Sequence, residues 1–494
     1  MTVRTRFAPS PTGFMHVGGI RTALFAWLLA RQNNGQFVLR LEDTDKKREV
    51  GGADEHIYKS LKALGLEYDE GPDVDGKYAP YRQSERLESY KKWAQKLIDT
   101  ERAYADPYTA DEVQKFREEA QKNKQPFLYR NHRPDNPSAW DGSQPLRFKS
   151  EPKKYSWDDE IMGALHSGPE VIDDFILIKS DGFPTYNFAH IVDDAEMEIT
   201  HIIRGQEFLA SIPNYLNLYE ALGFDMKPAN GHHGFAITNP GSSYRIPKMA
   251  TVPHILAENG SKKLSKRDGA KDVLEYIKEG YLPEALINFI ASLGWNDGTE
   301  QEIFSTEDLI KKFSLDRVQK SGARFDEKRL LWMNGAHIRE LPLGDLFAQV
   351  QDYWPAEAKA ASEDYKKAVL GLVQERLKYF KELPELTKFF FVDLPVDLHL
   401  IDNNKQLKKF SHAELLSMLE TSQAALENTE FTEEKLSNTL NTLLETTAQK
   451  PGVLFSIIRV ATTQSPASPG LAETLELLGK EKSLSRIKAT CDKL

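Results

Sequence analysis

The fold is decided by the segment Val3-Arg4-Thr5-Arg6-Phe7-Ala8-Pro9-Ser10-Pro11-Thr12-Gly13-Phe14-Met15-His16-Val17-Gly18-Gly19 and by the residues that follow it as far as Leu41. Alternating side chains in residues 3–7 predict a short strand, and the Pro, Ser, Thr and Gly residues after it predict a turn. The next apolar residues recur at helical spacing, namely Ile20, Leu24, Trp27 and Leu28. Residues 37–41 are largely apolar, as expected of a parallel strand covered on both faces. This order predicts an α/β domain with a doubly wound parallel sheet, in which ligands bind beyond the carboxyl ends of the strands.

Two short polar clusters have the composition needed to hold the phosphates of a nucleotide. The first is His16-Val17-Gly18-Gly19, where glycine lets backbone N–H groups at a helix start approach a polyphosphate and His16 adds a donor. Its alternative interpretation is that Gly18 and Gly19 only allow close packing of helix and strand. The second is Lys263-Leu264-Ser265-Lys266-Arg267, whose cations suit the charge that develops on departing pyrophosphate. Its alternative is an ordinary solvated basic loop. Together the clusters predict an enzyme that splits ATP by holding its phosphates from two sides.

Composition sets the outer bounds. The 494 residues, 40% of them hydrophobic and 28% charged, are enough for about three to five domains. With 64 basic and 74 acidic residues the net charge is -10, so a nucleic-acid partner would have to meet local basic patches. The single cysteine, Cys491, excludes an internal disulfide framework and a multi-cysteine zinc site. The chain shows neither a targeting segment nor a run of about 20 apolar residues, so we expect a cytoplasmic protein without membrane contact.

The organisation of the chain changes along its length. Residues 99–170 lose the β-α rhythm and are rich in Lys, Glu, Asn and Pro, with an amphipathic helix at about 110–122. Strand patterns return at residues 175–178 and 199–204, where we expect the nucleotide sheet to be completed, and a helix is expected at about 211–222. Helical patterns dominate from about residue 326. We therefore divide the chain into a first catalytic half (1–98), an inserted domain (99–170), a second catalytic half (171–250), a region with the lysine cluster (251–325) and an all-α region (326–494).

Several longer motifs resemble the blocks of one family, the bacterial-type glutamyl-tRNA synthetases of class I. They span most of the chain and comprise Arg6-Phe7-Ala8-Pro9-Ser10-Pro11-Thr12-Gly13, Leu41-Glu42-Asp43-Thr44-Asp45, Asp69-Glu70-Gly71-Pro72, Tyr81-Arg82-Gln83-Ser84, Asp181-Gly182-Phe183-Pro184-Thr185-Tyr186, Ile203-Arg204-Gly205, Gly280-Tyr281-Leu282-Pro283-Glu284-Ala285 and Leu331-Trp332-Met333-Asn334. His16-Val17-Gly18-Gly19 stands where the class has His-Ile-Gly-His, and the lysine cluster stands for Lys-Met-Ser-Lys-Ser. The resemblance implies a Rossmann-like catalytic domain, an inserted acceptor-end domain, a connecting stem-contact region and a helical anticodon-binding region.

The resemblance also implies a reaction. L-Glutamate and ATP, with Mg²⁺, would form glutamyl-adenylate and pyrophosphate, and the glutamyl group would then pass to the terminal ribose of tRNA(Glu). Family members generally need bound tRNA for the first step. By the same resemblance, His16, Lys263 and Lys266 are the catalytic residues. The glutamate site would be formed by Arg6, Ser10, Glu42, Tyr186 and Arg204, and the ATP site by Gly18, Gly19, Glu207 and Ser265 together with the catalytic residues.

Some features depart from the family pattern or leave alternatives open. Members with zinc in the inserted domain hold it through Cys-x-Cys, but here the stretch is Ala103-Tyr104-Ala105, so no structural zinc is expected. The pair His232-His233 lies in a stretch, 228–246, that is longer than usual, and we interpret it as a surface excursion and not a metal site. For Glu42-Asp43-Thr44-Asp45 the alternative to ligand contact is a helix N-cap with acidic first-turn residues.

Function has alternatives too. The enzyme could also charge tRNA(Gln), or be a small-molecule nucleotidyltransferase of related fold. The helical C-terminal region argues against a glutaminyl enzyme, whose corresponding part is a β-barrel, and against the short paralogue that modifies a tRNA base. We expect a monomer. Candidate RNA contacts in the helical region are basic residues that individually resemble ordinary surface charges: Lys405, Lys408, Lys409, Lys480, Lys482 and Arg486.

Overall fold

The computed structural model of the protein describes residues 2–224, 246–260, 262–264, 271–465 and 467–494. It divides into two compact units, one reaching to Ile277 and including Pro283–Glu327, the other formed by Lys278–Leu282 and Lys328–Leu494. The strands in the described residues are β1 (Arg4–Phe7), β2 (Gln36–Leu39), β3 (Ala103–Ala105), β4 (Leu146–Phe148), β5 (Tyr155–Asp159), β6 (Gly163–Ser167), β7 (Ile176–Ile178), β8 (His201–Gly205), β9 (Lys248–Val252), β10 (Ile255–Leu256) and β11 (Ala323–Arg324).

The α-helices of the first unit include the predicted helices at 110–122 and near 211–222. The full set in the described part of this unit is α1 (Val17–Gln32), α2 (Ala53–Ala63), α3 (Leu87–Asp99), α4 (Ala110–Lys122), α5 (Tyr186–Glu196), α6 (Ile212–Ala221), α7 (Val273–Glu279), α8 (Pro283–Ser292) and α9 (Thr306–Lys312). The last two residues of α7 belong to the second unit. The remaining helices are α10 (Glu327–Glu340), α11 (Leu343–Gln349), α12 (Glu363–Val373), α13 (Leu383–Phe391), α14 (His399–Asp402), α15 (His412–Glu427), α16 (Glu433–Thr447), α17 (Pro451–Thr463), α18 (Leu471–Leu478) and α19 (Lys480–Cys491).

The main sheet confirms the predicted parallel architecture. Among the described residues its six strands pair in the order β2-β1-β8-β9-β5-β6, and all neighbours are parallel except β5 and β6. The chain leaves β1 through α1 to reach β2 on one side, whereas β8 pairs on the other side. The chain therefore adds strands on opposite sides of β1, which makes this the topological switch point of the sheet. In such sheets a crevice forms at the switch point, beyond the carboxyl ends of the strands.

One strand lies in a different sheet from the one we expected. Ile176–Ile178 pairs antiparallel with β4, which pairs with β3, and so belongs to a separate three-stranded sheet. The β5–β6 hairpin, inside the region we treated as an insertion, instead extends the main sheet through the pairing of Asp159 with Met249. Asp159 supports this junction because its carboxylate accepts hydrogen bonds from the Thr251 N–H at 3.0 Å and the Thr251 hydroxyl at 2.6 Å. The five-part division of the chain remains a prediction.

Strand β1 is fully buried although it reads Arg-Thr-Arg-Phe. Because side chains alternate along a strand, Arg4 and Arg6 share one face and Thr5 lies on the other. The Thr5 hydroxyl donates to the Ala26 carbonyl of α1 at 2.7 Å, and Arg4 forms a bidentate ion pair with Glu70 at 2.7 and 3.1 Å. Polar groups buried in this way need such partners. The alternation places Arg6 on the face of the sheet that contacts α5, and its position near the end of β1 places it at the carboxyl end of the sheet.

The second unit is helical, as expected. Helices α15–α19 share one apolar core. Arg486 lies in that unit with 8% exposure, and its guanidinium donates to Asp393 at 2.9 Å and to the Thr462 and Phe389 carbonyls at 2.6 and 2.8 Å. Our interpretation of Arg486 as an RNA contact was therefore wrong, since its donors serve the fold. Lys405, Lys408 and Lys409 are exposed.

Candidate active site

A cleft of about 1160 Å³ opens at the switch point of the main sheet. It is lined by the ends of β1, β8 and β9, by the turn before α1 and by the segment after β2. All the predicted site residues that the structure describes line this cleft: Arg6, Ser10, His16, Gly18, Gly19, Glu42, Tyr186, Arg204, Glu207 and Lys263. Ser265 and Lys266 lie outside the described residues, as do His232, His233 and most of the stretch 228–246.

His16 is the N-cap of α1. Its Nδ1 accepts a hydrogen bond from the Gly18 N–H at 3.1 Å, which satisfies one of the backbone donors that a helix start leaves unpaired. A neutral imidazole that accepts through Nδ1 carries its proton on Nε2. The His16 side chain is exposed and lines the cleft. Because Nδ1 accepts from the start of α1, Nε2 is the ring atom that acts as a hydrogen-bond donor.

The glycines after His16 are explained by the turn itself. A Cβ on Gly18 would lie 3.0 Å from Cε1 of the His16 ring, and one on Gly19 would lie 2.9 Å from the Met15 methyl group. The atoms nearest each position therefore belong to the turn and not to a strand. A Cβ at Gly18 would require the His16 ring to shift, whereas one at Gly19 would displace only the flexible end of Met15. The alternative of helix-to-strand packing is thus not what the structure shows.

Arg204, near the end of β8, is a buried cation with unused donors. The residue is 5% exposed, and among the described residues its Nε and Nη1 have no hydrogen-bond partner. Its guanidinium carbon lies 5.0 Å from the Tyr215 ring centroid and 5.8 Å from that of Phe208, contacts that favour a cation but satisfy no N–H group. A buried donor without an acceptor is costly. An anionic ligand in the cleft would supply the missing acceptor.

Arg6, at the carboxyl end of β1, is by contrast held from behind. Its Nε lies 3.1 Å from Oδ1 of Asp194 on α5, and its Nη1 donates to the Ile203 carbonyl at 3.4 Å. Asp194 is 1% exposed. Burial alone would raise the pKa of Asp194, but the adjacent Arg6 and Arg40 lower it to about 2. The carboxylate is therefore ionised at any physiological pH and fixes one edge of the Arg6 guanidinium.

Glu42 also lines the cleft and is 4% exposed. Its Oε1 accepts from Arg40 Nη2 at 3.1 Å, and Arg40 Nη1 donates to Asp194 Oδ1 at 2.8 Å. Burial raises the pKa of Glu42 to about 7, although the positive charges of Arg40 and Arg6 oppose that rise. A carboxylate in this position can bind an ammonium group when ionised, and its protonation falls in the neutral range.

Tyr186, the first residue of α5, rests on a neutral histidine. Its ring stacks on His190 with centroids 4.8 Å apart, and its carbonyl accepts from His190 Nδ1 at 2.7 Å. Burial, with help from the charge of Arg204, lowers the pKa of His190 to about 3. The His190 ring is therefore uncharged, and it supports Tyr186 without competing with the arginines for an anion.

Glu207 and Lys263, which also line the cleft, form an ion pair. Lys263 Nζ lies 3.4 Å from Glu207 Oε1, and His254 Nδ1 lies 3.7 Å from Glu207 Oε2. Burial alone would raise the pKa of Glu207, but its own backbone N–H and Lys263 lower it on balance. Backbone pairing holds the start of the lysine cluster in place, because Lys263 forms an antiparallel β-bridge with Leu256.

The acidic segment after β2 does not cap a helix. Residues 42–45 belong to no helix or strand, and α2 begins only at Ala53 with Gly52 as its N-cap, so the N-cap interpretation was wrong. Asp43 accepts from the Ser84 N–H at 2.9 Å, the Ser84 hydroxyl at 2.6 Å and Lys46 at 3.0 Å, and it does not line the cleft. Asp45 does line the cleft. Asp43 thus fixes the segment, and Glu42 and Asp45 are the acidic residues of this segment that a ligand would meet.

Comparison with known proteins identifies the architecture. Residues 2–245 and 242–332 match the family model described as tRNA synthetases class I (E and Q), catalytic domain, and residues 345–491 match an anticodon binding domain. A glutamate–tRNA ligase of Dehalococcoides mccartyi is 40% identical over 98% of this chain and 96% of its own length, and one of Clostridium tetani is 38% identical over 100% and 98%. The chain belongs to the glutamate–tRNA ligase family.

Solved structures of glutamate–tRNA ligases agree. One from Elizabethkingia meningosepticum, crystallised in complex with its amino acid, matches with a TM-score of 0.84 at 32% identity and 100% coverage of both chains. One from Elizabethkingia anophelis matches with a TM-score of 0.82 at 33% identity, covering 99% of this chain and 100% of that one. Family membership confirms the resemblance and the fold class predicted from the sequence. The roles of individual residues remain predictions.

Two further observations concern expected absences. Among the described residues there is no group of three or more His, Cys, Asp and Glu side chains that could hold a metal ion, and the expectation that this ligase lacks structural zinc stays a prediction. Within the same residues, no helix is both long and apolar enough to cross a membrane.

Sequence reasoning missed the residues behind the glutamate–tRNA ligase cleft. Three of them are at most 1% exposed and contact predicted site residues without lining the cleft themselves: Arg40 contacts Glu42, Asp194 contacts Arg6, and His190 contacts Tyr186. A signal was present in two of the three cases. Arg40 interrupts the apolar run 37–41, and Asp194 lies in the largely apolar segment 188–195, and charges in such positions need a buried partner.

Proposed function

We propose that the protein joins L-glutamate to tRNA(Glu) through a glutamyl-adenylate, using ATP with Mg²⁺ and releasing pyrophosphate and then AMP. The observation that carries the proposal is the juxtaposition, in one cleft, of Arg6, Arg204 and Glu42 with the turn that presents His16. Such a cleft offers two cations and an anion to an amino acid beside a helix start that suits a polyphosphate. The resemblance to the family assigns the same residues to the same roles.

Glutamate selection follows from charge. The two carboxylates of glutamate would lie near Arg204 and Arg6, and its ammonium group near Glu42, with Ser10 and Tyr186 completing the pocket. The unpaired Nε and Nη1 of Arg204 would gain their acceptor on binding, since guanidinium binds carboxylate bidentately.

Activation would require alignment and charge stabilisation. A carboxylate oxygen of glutamate attacks the α-phosphorus, the bond from that phosphorus to the bridging oxygen breaks, and pyrophosphate leaves. The Nε2–H of His16, Lys263 and Lys266 would stabilise charge on phosphate oxygens, while Gly18, Gly19, Glu207 and Ser265 would complete the nucleotide site. Mg²⁺ would accompany the phosphates as their counter-ion. In the second step the terminal ribose hydroxyl attacks the glutamyl carbonyl and AMP leaves.

The tRNA would contact several regions. We propose that the inserted domain at 99–170 receives the acceptor end, that 251–325 contacts the stem and that 326–494 binds the anticodon, in a protein that acts as a monomer. Recognition of RNA by shape, phosphate contacts and splayed bases suits the exposed Lys405, Lys408 and Lys409 of the helical unit.

The test is ATP–pyrophosphate exchange and tRNA charging, with glutamate compared with glutamine. We expect exchange only in the presence of tRNA(Glu), with glutamate strongly preferred, and charging of tRNA(Glu). Charging of tRNA(Gln) with glutamate would show the non-discriminating alternative. Nucleotide transfer to a small molecule, with no binding of tRNA in a gel shift, would refute the proposal in favour of a nucleotidyltransferase.

A further inference from the structure

Four charged side chains form a continuous buried row behind the cleft. Arg6 Nε and Arg40 Nη1 lie 3.1 and 2.8 Å from the same oxygen, Oδ1 of Asp194, and Arg40 Nη2 lies 3.1 Å from Glu42 Oε1. The signs alternate along the row. Its two end members, Arg6 and Glu42, line the cleft, whereas the two inner members do not.

We propose that Arg40 and Asp194 are positioning residues that act as one unit, so that the cation and the anion at the two ends of the amino-acid pocket are held in a single geometry. Asp194 orients Arg6, and Arg40 orients Glu42. The proposal rests on the proposed function, because it takes Arg6 and Glu42 as residues that contact glutamate.

Because the row is buried, the charges of its four side chains interact strongly with one another. Arg40 is 0% exposed and Asp194 is 1% exposed, so solvent does little to screen the three ion pairs that they form with each other and with Arg6 and Glu42. Arg40 also lies 3.6 Å from Asp193, which is in turn held by Arg86 at 2.7 Å. Burial alone would lower the pKa of Arg40, but its carboxylate neighbours raise it, so the guanidinium stays charged. Removing one charge from this buried set leaves a neighbouring charge unpaired, which changes the electrostatic environment of the remaining side chains.

The inner residues influence the ionisation of Glu42 in opposite directions. The charged groups that act on Glu42 are Arg40, Arg6 and Asp194, and the Tyr186 and Tyr215 hydroxyls are close enough to interact with it. Arg40 and Arg6 favour the ionised form, whereas the negative charge of Asp194 disfavours it. Only the ionised form of Glu42 can pair with the ammonium group of an amino acid. Loss of Arg40 should therefore raise the pH at which glutamate is used well, and loss of the Asp194 charge should lower it.

The experiment measures kcat/KM for glutamate as a function of pH, because that ratio reports ionisations of the enzyme before glutamate binds. Asp194→Asn and Arg40→Gln are compared with wild type from about pH 5.5 to about pH 8.5, at saturating ATP and tRNA. We expect the midpoint to move down in Asp194→Asn and up in Arg40→Gln, each by about one pH unit. At about pH 7 the ionised fraction of Glu42 would fall from about one half to about one tenth in Arg40→Gln, which corresponds to about a fivefold loss in kcat/KM for glutamate, with KM for ATP changed less than about twofold.

A matched control separates positioning from general loosening. Asp174 is 4% exposed, ion-paired with Arg133 at 2.6 Å and absent from the cleft lining, so Asp174→Asn should lower the melting temperature without moving the midpoint. If Arg40→Gln fails to fold, Asp194→Asn decides the matter alone, since its amide keeps the shape of the carboxylate. An unmoved midpoint in Asp194→Asn, or a shift of both variants in the same direction, would overturn the inference. Absence of glutamate-dependent charging in the wild-type protein would instead refute the proposed function, and the inference with it.

Discussion

Arg204→Met should weaken glutamate use and, at the same time, stabilise the ligand-free protein. The side chain is buried, and its Nε and Nη1 have no hydrogen-bond acceptor among the described residues. Each unsatisfied buried donor costs about 1–3 kcal/mol, and the contacts with Tyr215 and Phe208 return about 0.5–2 kcal/mol. Methionine fills similar volume without that cost, so we expect the free energy of unfolding to rise by about 1 kcal/mol or more.

The same two N–H donors of Arg204 determine how much activity with glutamate the substitution removes. A hydrogen bond to a charged group contributes about 1.5–3 kcal/mol, so two of them correspond to a fall in kcat/KM for glutamate of about 10²-fold to 10⁴-fold. Because Arg204 is proposed to pair with the amino acid and not with the nucleotide, KM for ATP should change little. Charging assays with varied glutamate and denaturant unfolding without ligand give the two quantities.

Arg4→Met is the matched control, because Arg4 is a buried arginine of the neighbouring strand whose donors are already paired with Glu70 and with the Met197 carbonyl. Removing it strands a buried carboxylate, so this variant should be destabilised by about 3–5 kcal/mol. If Arg204→Met is destabilised to the same extent, Arg204 is an ordinary structural cation and the argument for its role in substrate binding fails.

Three further changes test other parts of the site. Lys266→Ala should lower the rate of glutamate activation by about 100-fold or more, as expected from loss of one preorganised donor, and a near-normal rate in ATP–pyrophosphate exchange would contradict its role. Gly18→Ala favours helix formation but places a Cβ 3.0 Å from the His16 ring, so activation should fall by about tenfold without loss of melting temperature; a fully active variant would show that the ring position is unimportant. The folded-state pKa of Glu42, about 7, lies above its ordinary value of 4.5, so the folded state binds the extra proton and the free energy of unfolding should fall as pH rises between those values. The difference between wild type and Glu42→Gln isolates this slope, up to about 3 kcal/mol in all, in denaturant unfolding at several pH values, and a pH-independent difference would mean that Glu42 titrates normally.

The local parts of the fold were predictable and the long-range pairings were not. The order β1-α1-β2 follows from a strand pattern, a turn and a helical stripe within residues 3–41, all of which act over short distances. The β5–β6 hairpin carries an alternating pattern, but its place in the main sheet depends on β9, about 90 residues away, and no local signal names that partner. The three apolar residues of β7 fit either sheet for the same reason.

Site residues divide along similar lines. Arg6, Glu42 and Arg204 were predicted because each belongs to a motif that resembles the family pattern. Arg40 and Asp194 are proposed to act through other side chains, and only the folded structure brings these charges next to each other. A buried charge in an apolar run indicates that a partner exists, but its identity is a property of the packing.

Pocket charge also argues for discrimination between glutamate and glutamine. Arg40 and Asp194 offset each other at the back of the row, which leaves Arg6 and Arg204 facing the amino acid against Glu42. Among these three residues, which are the charged ones proposed to bind glutamate, there is one more positive than negative charge. This excess complements glutamate, which carries one net negative charge, and does not complement glutamine, which is neutral. Glutamine would leave a buried guanidinium without its counter-charge, a cost of about 3 kcal/mol or more and thus a preference of about 10²-fold for glutamate. Because the excess depends on the inner pair remaining balanced, Asp194→Asn should alter the preference between the two amino acids, although Asp194 does not line the cleft.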